Sequence, residues 1–252
     1  MTLKPLLRSI ALKYPATLIS AQMQDIDRIA FHIRLVQERK GSAIALCDIG
    51  GGIGLFSAGC AALGMKPTLI DDFGDEVNVK TGAFVLDLHR SLGVDVISKD
   101  VIVDPLPLKP GSLDAITCFE SMEHWHNSPK RLFRCLKAAL KPGGVFVLSA
   151  PNCVDMARRL AIAIGHGQWS TIESWYESET FRGHVREPDV RDLRHIANDI
   201  GFTNVKIFGR NWWPNTRFQG SPAKPIASLV AHLLRLRPSL CSTIYLVGYA
   251  QG

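Results

Sequence analysis

Short apolar runs alternate with amphipathic stretches along most of the chain. The apolar runs fall at residues 43–49, 67–71, 94–98, 113–119, 144–150, 204–208 and 243–250. Between them, apolar positions recur at helical spacing near 53–63, 81–92, 128–141 and 189–200. Runs this short suit strands, and the longer periodic stretches suit helices. Their alternation predicts right-handed βαβ units. The fold expected is α/β: a doubly wound, Rossmann-like, seven-stranded and mostly parallel sheet with helices on both faces. The alternation fails at the end, where a loop-rich segment separates the last two runs. The last strand is therefore expected to be antiparallel, at or near one edge.

Two stretches stand outside the pattern. Residues 1–40 hold a helix with Met23, Ile26, Ala30 and Ile33 on one face, expected to pack on the core or cover a pocket. Residues 152–186 form an insert carrying Trp169, Trp175, Tyr176 and Phe181. Ligands of open α/β sheets bind beyond the C-terminal strand ends, so an insert there is expected to shape the substrate side. The organisation expected is one domain over 1–252: a helical cap (1–40), a core (43–209) containing the insert (152–186), and a terminal helix and strand (210–252).

Composition narrows the picture. The chain has 252 residues, 46% hydrophobic and 21% charged, the balance of a folded protein. None of the six cysteines forms a C-x-x-C pair, which argues against a zinc or disulfide framework and for a reducing, cytoplasmic setting. The net charge of +6 is spread along the chain without a basic arm, so nucleic acid is not an expected partner. No apolar stretch is long enough to span a membrane. One segment, 225–238, has a basic amphipathic character suited to peripheral contact with an anionic membrane, or to covering the sheet.

The chemistry begins at Asp48-Ile-Gly-Gly-Gly-Ile-Gly54, where a strand runs into a glycine loop and then a helix. A dinucleotide loop, G-x-G-x-x-G, has Leu55 where its third glycine belongs, which disfavours a nicotinamide-dependent oxidoreductase. Asp71 ends the second apolar run, where a carboxylate can accept from two ribose hydroxyls. Asp100 follows the third, within reach of an adenine amino group.

These residues, with Leu69-Ile-Asp71, Lys99-Asp100-Val101, Leu113-Asp-Ala-Ile-Thr-Cys118 and Leu140-Lys-Pro-Gly-Gly144, resemble class I S-adenosylmethionine-dependent methyltransferases over about residues 43–209. The resemblance implies S-adenosylmethionine as cofactor. It places the methionine part on Asp48, Gly50, Gly51, Gly52 and Gly54, the ribose on Asp71 with Asp72, and the base by Asp100 and Val101, with Phe119 in the same crevice. Gly51 departs from the cysteine many members carry there, a change expected to be harmless in a backbone-lined loop.

Just past the fourth run, Glu120, Glu123 and His124 make E-x-x-E-H, and His184 follows in Phe181-Arg-Gly-His184. This set is similar to ubiquinone-biosynthesis O-methyltransferases and to plant small-RNA 2′-O-methyltransferases. That likeness implies a divalent metal ion on Glu120, Glu123, His124 and His184. Without a metal, His184 or His124 is the candidate general base. The stretch from Phe181 to Leu193 also looks like methyltransferases associated with surface polysaccharides. The expected activity is O-methylation of a small or lipid-linked sugar or catechol-like diol. An RNA 2′-O-methyltransferase and a non-catalytic cofactor-binding module are the alternatives.

Overall fold

The structure is a computed structural model describing residues 2–74, 76–167 and 170–251, without the side chains of 76–78 and 81. Trp169 of the insert lies outside the described residues. Two helices open the chain, α1 (Leu3–Ala11) and α2 (Ala16–Lys40). Then come β1 (Ala45–Ile49), α3 (Leu55–Ala62), β2 (Lys66–Asp71), α4 (Glu76–Ser91), β3 (Asp95–Ser98), β4 (Leu113–Phe119), α5 (Lys130–Ala139) and β5 (Leu140–Pro151). The insert holds α6 (Met156–Ala163) and α7 (Ile172–Tyr176). The chain ends with α8 (Val190–Ile200), β6 (Thr203–Arg210), α9 (Trp213–Thr216), α10 (Lys224–Leu234) and β7 (Thr243–Tyr249).

The seven strands form one sheet in the order β3-β2-β1-β4-β5-β7-β6. All neighbours are parallel except β7, which runs antiparallel to both β5 and β6. The antiparallel last strand is thus as expected, and it lies one place in from the edge. The strand order reverses between β1 and β4, the point at which open sheets of this kind form their ligand crevice.

Alternation along the strands splits the core into two layers, because successive side chains point to opposite faces. Leu46, Val145, Val147, Tyr245 and Val247 face α1, α2 and α3. Cys47, Phe146, Leu148, Ile244 and Leu246 face α5 and α8. The helix α2 buries Ile26, Ile29, Ala30, Ile33 and Val36 but also His32, an exception that matters at the site. The strand β5 begins at Leu140, earlier than the glycine pair suggested. Gly143 takes the positive φ of 69° there, so the chain turns and continues extended without a loop. All six cysteines are free thiols, four of them buried.

Candidate active site

A cavity of about 520 Å³ opens at the C-terminal ends of β1 to β4. Gly50, Gly51 and Gly52 line it after β1, Asp71 and Asp72 at the end of β2, and Asp100 and Val101 after β3. Phe119, Glu120 and Ser121 line it at the end of β4.

The glycine loop is built by close approach. Gly50 has φ of 65° and Gly52 of 54°, and a Cβ on Gly50 would lie 1.8 Å from the Ser121 hydroxyl oxygen. Gly51 has an ordinary φ, yet its Cβ would meet Asp48 Oδ2 at 2.2 Å. Asp48 itself does not line the cavity. It is buried behind the loop, with the hydroxyls of Ser57 and Thr117 each donating to it at 2.8 Å. Burial pushes its carboxyl up to about 6, although those two hydrogen bonds pull the other way. The residue expected to touch the cofactor therefore braces the loop from below. Gly54 is also off the cavity, and its carbonyl accepts from the Tyr14 hydroxyl of the N-terminal layer at 3.3 Å.

The three other carboxylates do reach the cavity. Asp71 accepts from the Gly52 N–H at 2.9 Å and the Phe73 N–H at 2.8 Å, tying the loop to β2. Asp72 accepts from the Gly74 N–H at 2.9 Å and pairs with Arg182 at 3.1 Å. Against its partial burial, those two partners hold it below the usual carboxylate range. Asp100 is more exposed and caps a turn through the N–H groups of Ile102 and Val103. Phe119 stacks on the buried His32 ring, centroids 3.9 Å apart. His32 is hydrogen-bonded through Nε2 to the Tyr245 hydroxyl, which also accepts from the Trp212 indole.

The β4 end is built from side chains. Glu120 has φ of 50°, a left-handed conformation that is strained for a residue with a Cβ. Its Oε1 accepts from the Ser149 hydroxyl at 2.8 Å, and its Oε2 lies 3.8 Å from Arg28. One 3-10 turn, Met122–His124, follows. Glu123 is buried there, and its Oε2 has no hydrogen-bond partner among the described residues. Burial raises its pKa, and the nearby Glu120 raises it further. The Glu123 carbonyl accepts from the Val185 N–H at 2.6 Å, which pins the end of the insert against the turn.

The insert thereby delivers His184. Its Nδ1 contacts Glu187 at 2.6 Å, and Glu187 is held in turn by both terminal nitrogens of Arg158. Burial, then His124 and Arg158, lower the His184 pKa to about 4, so the ring is neutral near pH 7. His124 Nδ1 donates to the Arg182 carbonyl at 2.8 Å. The two rings meet edge to face, centroids 4.8 Å apart. Glu123, His124 and His184 each present a ligand atom, all within 4.8 Å of one another. The four-residue group expected from the sequence is thus three, because Glu120 is drawn off by Ser149 and Arg28. An orphaned buried carboxylate oxygen beside two imidazoles, each with Nδ1 already engaged, fits a divalent cation.

Sequence reasoning missed Arg28, Ser121 and Arg182, all of which line the cavity. Arg28 comes from α2, one helical turn before His32, with Nε unpartnered among the described residues and Nη2 on Asp25 at 2.6 Å. The visible signal was two polar residues, Arg28 and His32, at i and i+4 beside the apolar stripe of that helix.

Comparison with known proteins agrees with this geometry. Residues 22–207 match the family model of a methyltransferase domain. The chain belongs to that family, and its sheet and glycine loop make it a class I S-adenosylmethionine-dependent methyltransferase. A ubiquinone biosynthesis O-methyltransferase of Xanthomonas campestris is 38% identical over 115 residues, which cover 46% of each chain. The match thus spans just under half the length of that relative. Among solved structures, an S-adenosylmethionine-dependent methyltransferase of Mesorhizobium loti aligns with TM-score 0.56 and 20% identity, over 87% of this chain and 96% of its own. Haemonchus contortus phosphoethanolamine N-methyltransferase 2, in complex with S-adenosylmethionine, aligns with TM-score 0.56 and 18% identity, over 88% of this chain and 53% of its own. At such identities the two structures share the fold. Among the described residues, no helix is long and apolar enough to cross a membrane.

Proposed function

We propose that this chain is an O-methyltransferase that moves the methyl group of S-adenosylmethionine to a hydroxyl of a small or lipid-linked sugar or catechol-like diol, acting as one domain over residues 1–252. The observation that carries this reading is the cluster Glu123, His124 and His184, of which His124 lines the same cavity as Gly50, Gly51 and Gly52. In this reading the loop backbone and Arg28 hold the amino-acid end of the cofactor. Asp71 and Asp72 hold the ribose, Asp100 and Val101 the base, and Phe119 packs against the bound molecule.

A sulfonium methyl group is already activated, so the protein has to align the acceptor and take its proton. The acceptor oxygen forms a bond to the methyl carbon as the carbon–sulfur bond breaks, and S-adenosylhomocysteine leaves neutral. The hydroxyl proton goes to Nε2 of His184. Glu187 orients that ring from the other side, the arrangement of a base held by a carboxylate. The unpartnered oxygen of Glu123 favours a second reading of the same group. A divalent ion on Glu123, His124 and His184 would orient the diol and lower the pKa of one hydroxyl. Two imidazoles suit Mn²⁺, Zn²⁺ or Fe²⁺ better than Mg²⁺.

The test is transfer from labelled S-adenosylmethionine to catechols, sugars, lipid-linked diols and RNA, with and without chelator. Label on a diol oxygen supports the proposal. Label on RNA or on nitrogen overturns the acceptor class. S-adenosylhomocysteine binding without transfer to any acceptor would leave a binding module. Loss of transfer in chelator with cofactor binding intact selects the metal reading, and full activity selects the imidazole alone.

A further inference from the structure

The helix α10 is turned inside out. Its buried residues are small, Ala227 at 7% exposure and Ala231 at 1%. Its large apolar side chains face solvent: Ile226 is 70% exposed, Leu229 59% and Leu233 54%, with Val230 between them. These four positions follow i, i+3, i+4 and i+7, which places them on one helix face. Just beyond the helix, Leu236 is exposed too. A sheet-covering helix would put its leucines inward, so covering the sheet does not explain this pattern.

The insert helix α6 repeats the pattern. It buries no residue, and Leu160, Ile162 and the following Ile164 are all exposed. The topology brings the two helices to one rim. The C-terminal end of β5, Pro151, pairs with the first residue of β7, Thr243. Helix α6 leaves from the one and α10 leads into the other. Arg159 of α6 donates to the carbonyl of Ser239, five residues past the end of α10. This is also the rim on which the active-site cavity opens.

Charge selects the occupant. After Asp199 the sequence contains no Asp or Glu, but it has Lys206, Arg210, Arg217, Lys224, Arg235 and Arg237. Lys224, Arg235 and Arg237 bracket the apolar face of α10. An exposed apolar face flanked by cations, on a helix too short to span a bilayer, is the arrangement that lies in an anionic lipid interface.

We infer that α10 and α6 dock the protein on an anionic membrane surface, with the exposed leucines and isoleucines entering the headgroup boundary and the flanking cations meeting lipid phosphates. The cavity then opens towards the membrane plane. That a lipid-borne acceptor enters from there rests on the methyl-transfer reading, whereas the docking itself does not.

The experiment is flotation of the full chain with vesicles of phosphatidylglycerol and phosphatidylcholine, against pure phosphatidylcholine. Binding is expected on the anionic vesicles only, and is expected to weaken as salt rises. The double variant Leu229→Glu, Leu233→Glu should bind at least about tenfold more weakly. Lys224→Glu with Arg237→Glu should lose binding in the same direction. S-adenosylhomocysteine titration of each variant, read without turnover, should match the parent chain and so confirm folding. Absent binding at low salt, equal binding to neutral vesicles, or undiminished binding of the leucine variant overturns the proposal. So does a concentration-dependent dimer that the leucine variant dissolves while vesicles remain unbound, since the face would then belong to a second copy. Vesicle binding with no methyl transfer would leave the docking standing and remove the enzymatic reading.

Discussion

The two halves of the cavity are made by different means. On the β1–β3 side the main chain does most of the work. Positive φ at Gly50 and Gly52 shapes the loop, and Asp71, Asp72 and Asp100 each accept backbone N–H groups. On the β4–β5 side the work falls to side chains, with Glu123 buried, His184 half-buried and His124 exposed. Glu120 is strained, Glu123 keeps an oxygen unpartnered, and the two histidines come from segments 60 positions apart in sequence (184 − 124). A buried oxygen left without a partner among the described residues, as Glu123 Oε2 is, is costly in stability.

The sharpest way to break this comparison is to strike the side-chain half alone. His184→Ala and, separately, Glu123→Gln should each lower methyl transfer by about 10²–10⁴-fold. S-adenosylhomocysteine affinity, measured by titration calorimetry, should stay within about twofold because the cofactor contacts lie on other loops. A matching loss of cofactor affinity would show that the two halves are one unit.

The next effect belongs to the backbone-built half. Asp71→Ala removes the expected ribose acceptor, and hydrogen bonds to a charged group are worth about 1.5–3 kcal/mol. S-adenosylhomocysteine affinity should fall about 10- to 100-fold. Because Asp71 also ties down the Gly52 and Phe73 N–H groups, the melting temperature should fall too. Unchanged affinity would mean that the cofactor lies elsewhere.

A third test concerns the layer behind both halves. His89, bonded to the Tyr14 hydroxyl at 2.8 Å, has its pKa lowered to about 4 by burial, and His32 is lowered in the same direction. Between about pH 6.5 and 4 the unfolded chain binds more protons at these sites than the folded one. Stability should therefore rise with pH through that window and be lost as pH falls, by up to about 1.4 kcal/mol per pH unit for each fully buried histidine. Thermal melts of the parent chain against His89→Gln should show the shallower slope in the variant. Equal slopes would remove His89 from the account.

The smallest effect expected is at Asp100. Its carboxylate is exposed and caps its own turn, so Asp100→Ala should weaken S-adenosylhomocysteine by about 2- to 10-fold, the range of one ordinary hydrogen bond. A loss exceeding that of Asp71→Ala would reverse the ranking of the two carboxylates.

What was readable in the sequence follows the same division. The mostly parallel seven-stranded sheet could be read from the alternation of short apolar runs with helical stretches, and the loop and the carboxylates Asp71 and Asp100 because a glycine turn and a strand-end acid are local features. Asp48 was readable as a position but not as a role. That it faces Thr117 depends on the pairing of β1 with β4, and that it faces Ser57 on the packing of α3, neither of which spacing reveals. The same applies to Glu120, whose partners Ser149 and Arg28 come from β5 and α2. His124 and His184 were identifiable as residue types, but their meeting depends on the Glu123 carbonyl pinning Val185. Arg28 escaped notice because it lies outside the repeating unit.

The packing of Gly51 on Asp48 has an evolutionary consequence. With Asp48 Oδ2 only 2.2 Å from where a Cβ would stand, the two positions are not free to vary one at a time. Glycine here in place of the cysteine that many members carry was expected to be harmless in a backbone-lined loop, and a side chain at this position would change more than the backbone. In this fold a side chain first requires the aspartate to swing away from Ser57, giving up a buried hydrogen bond. The pair is therefore epistatic. A side chain at position 51 can be seated only where the Asp48 carboxylate and the Leu69 side chain give way together.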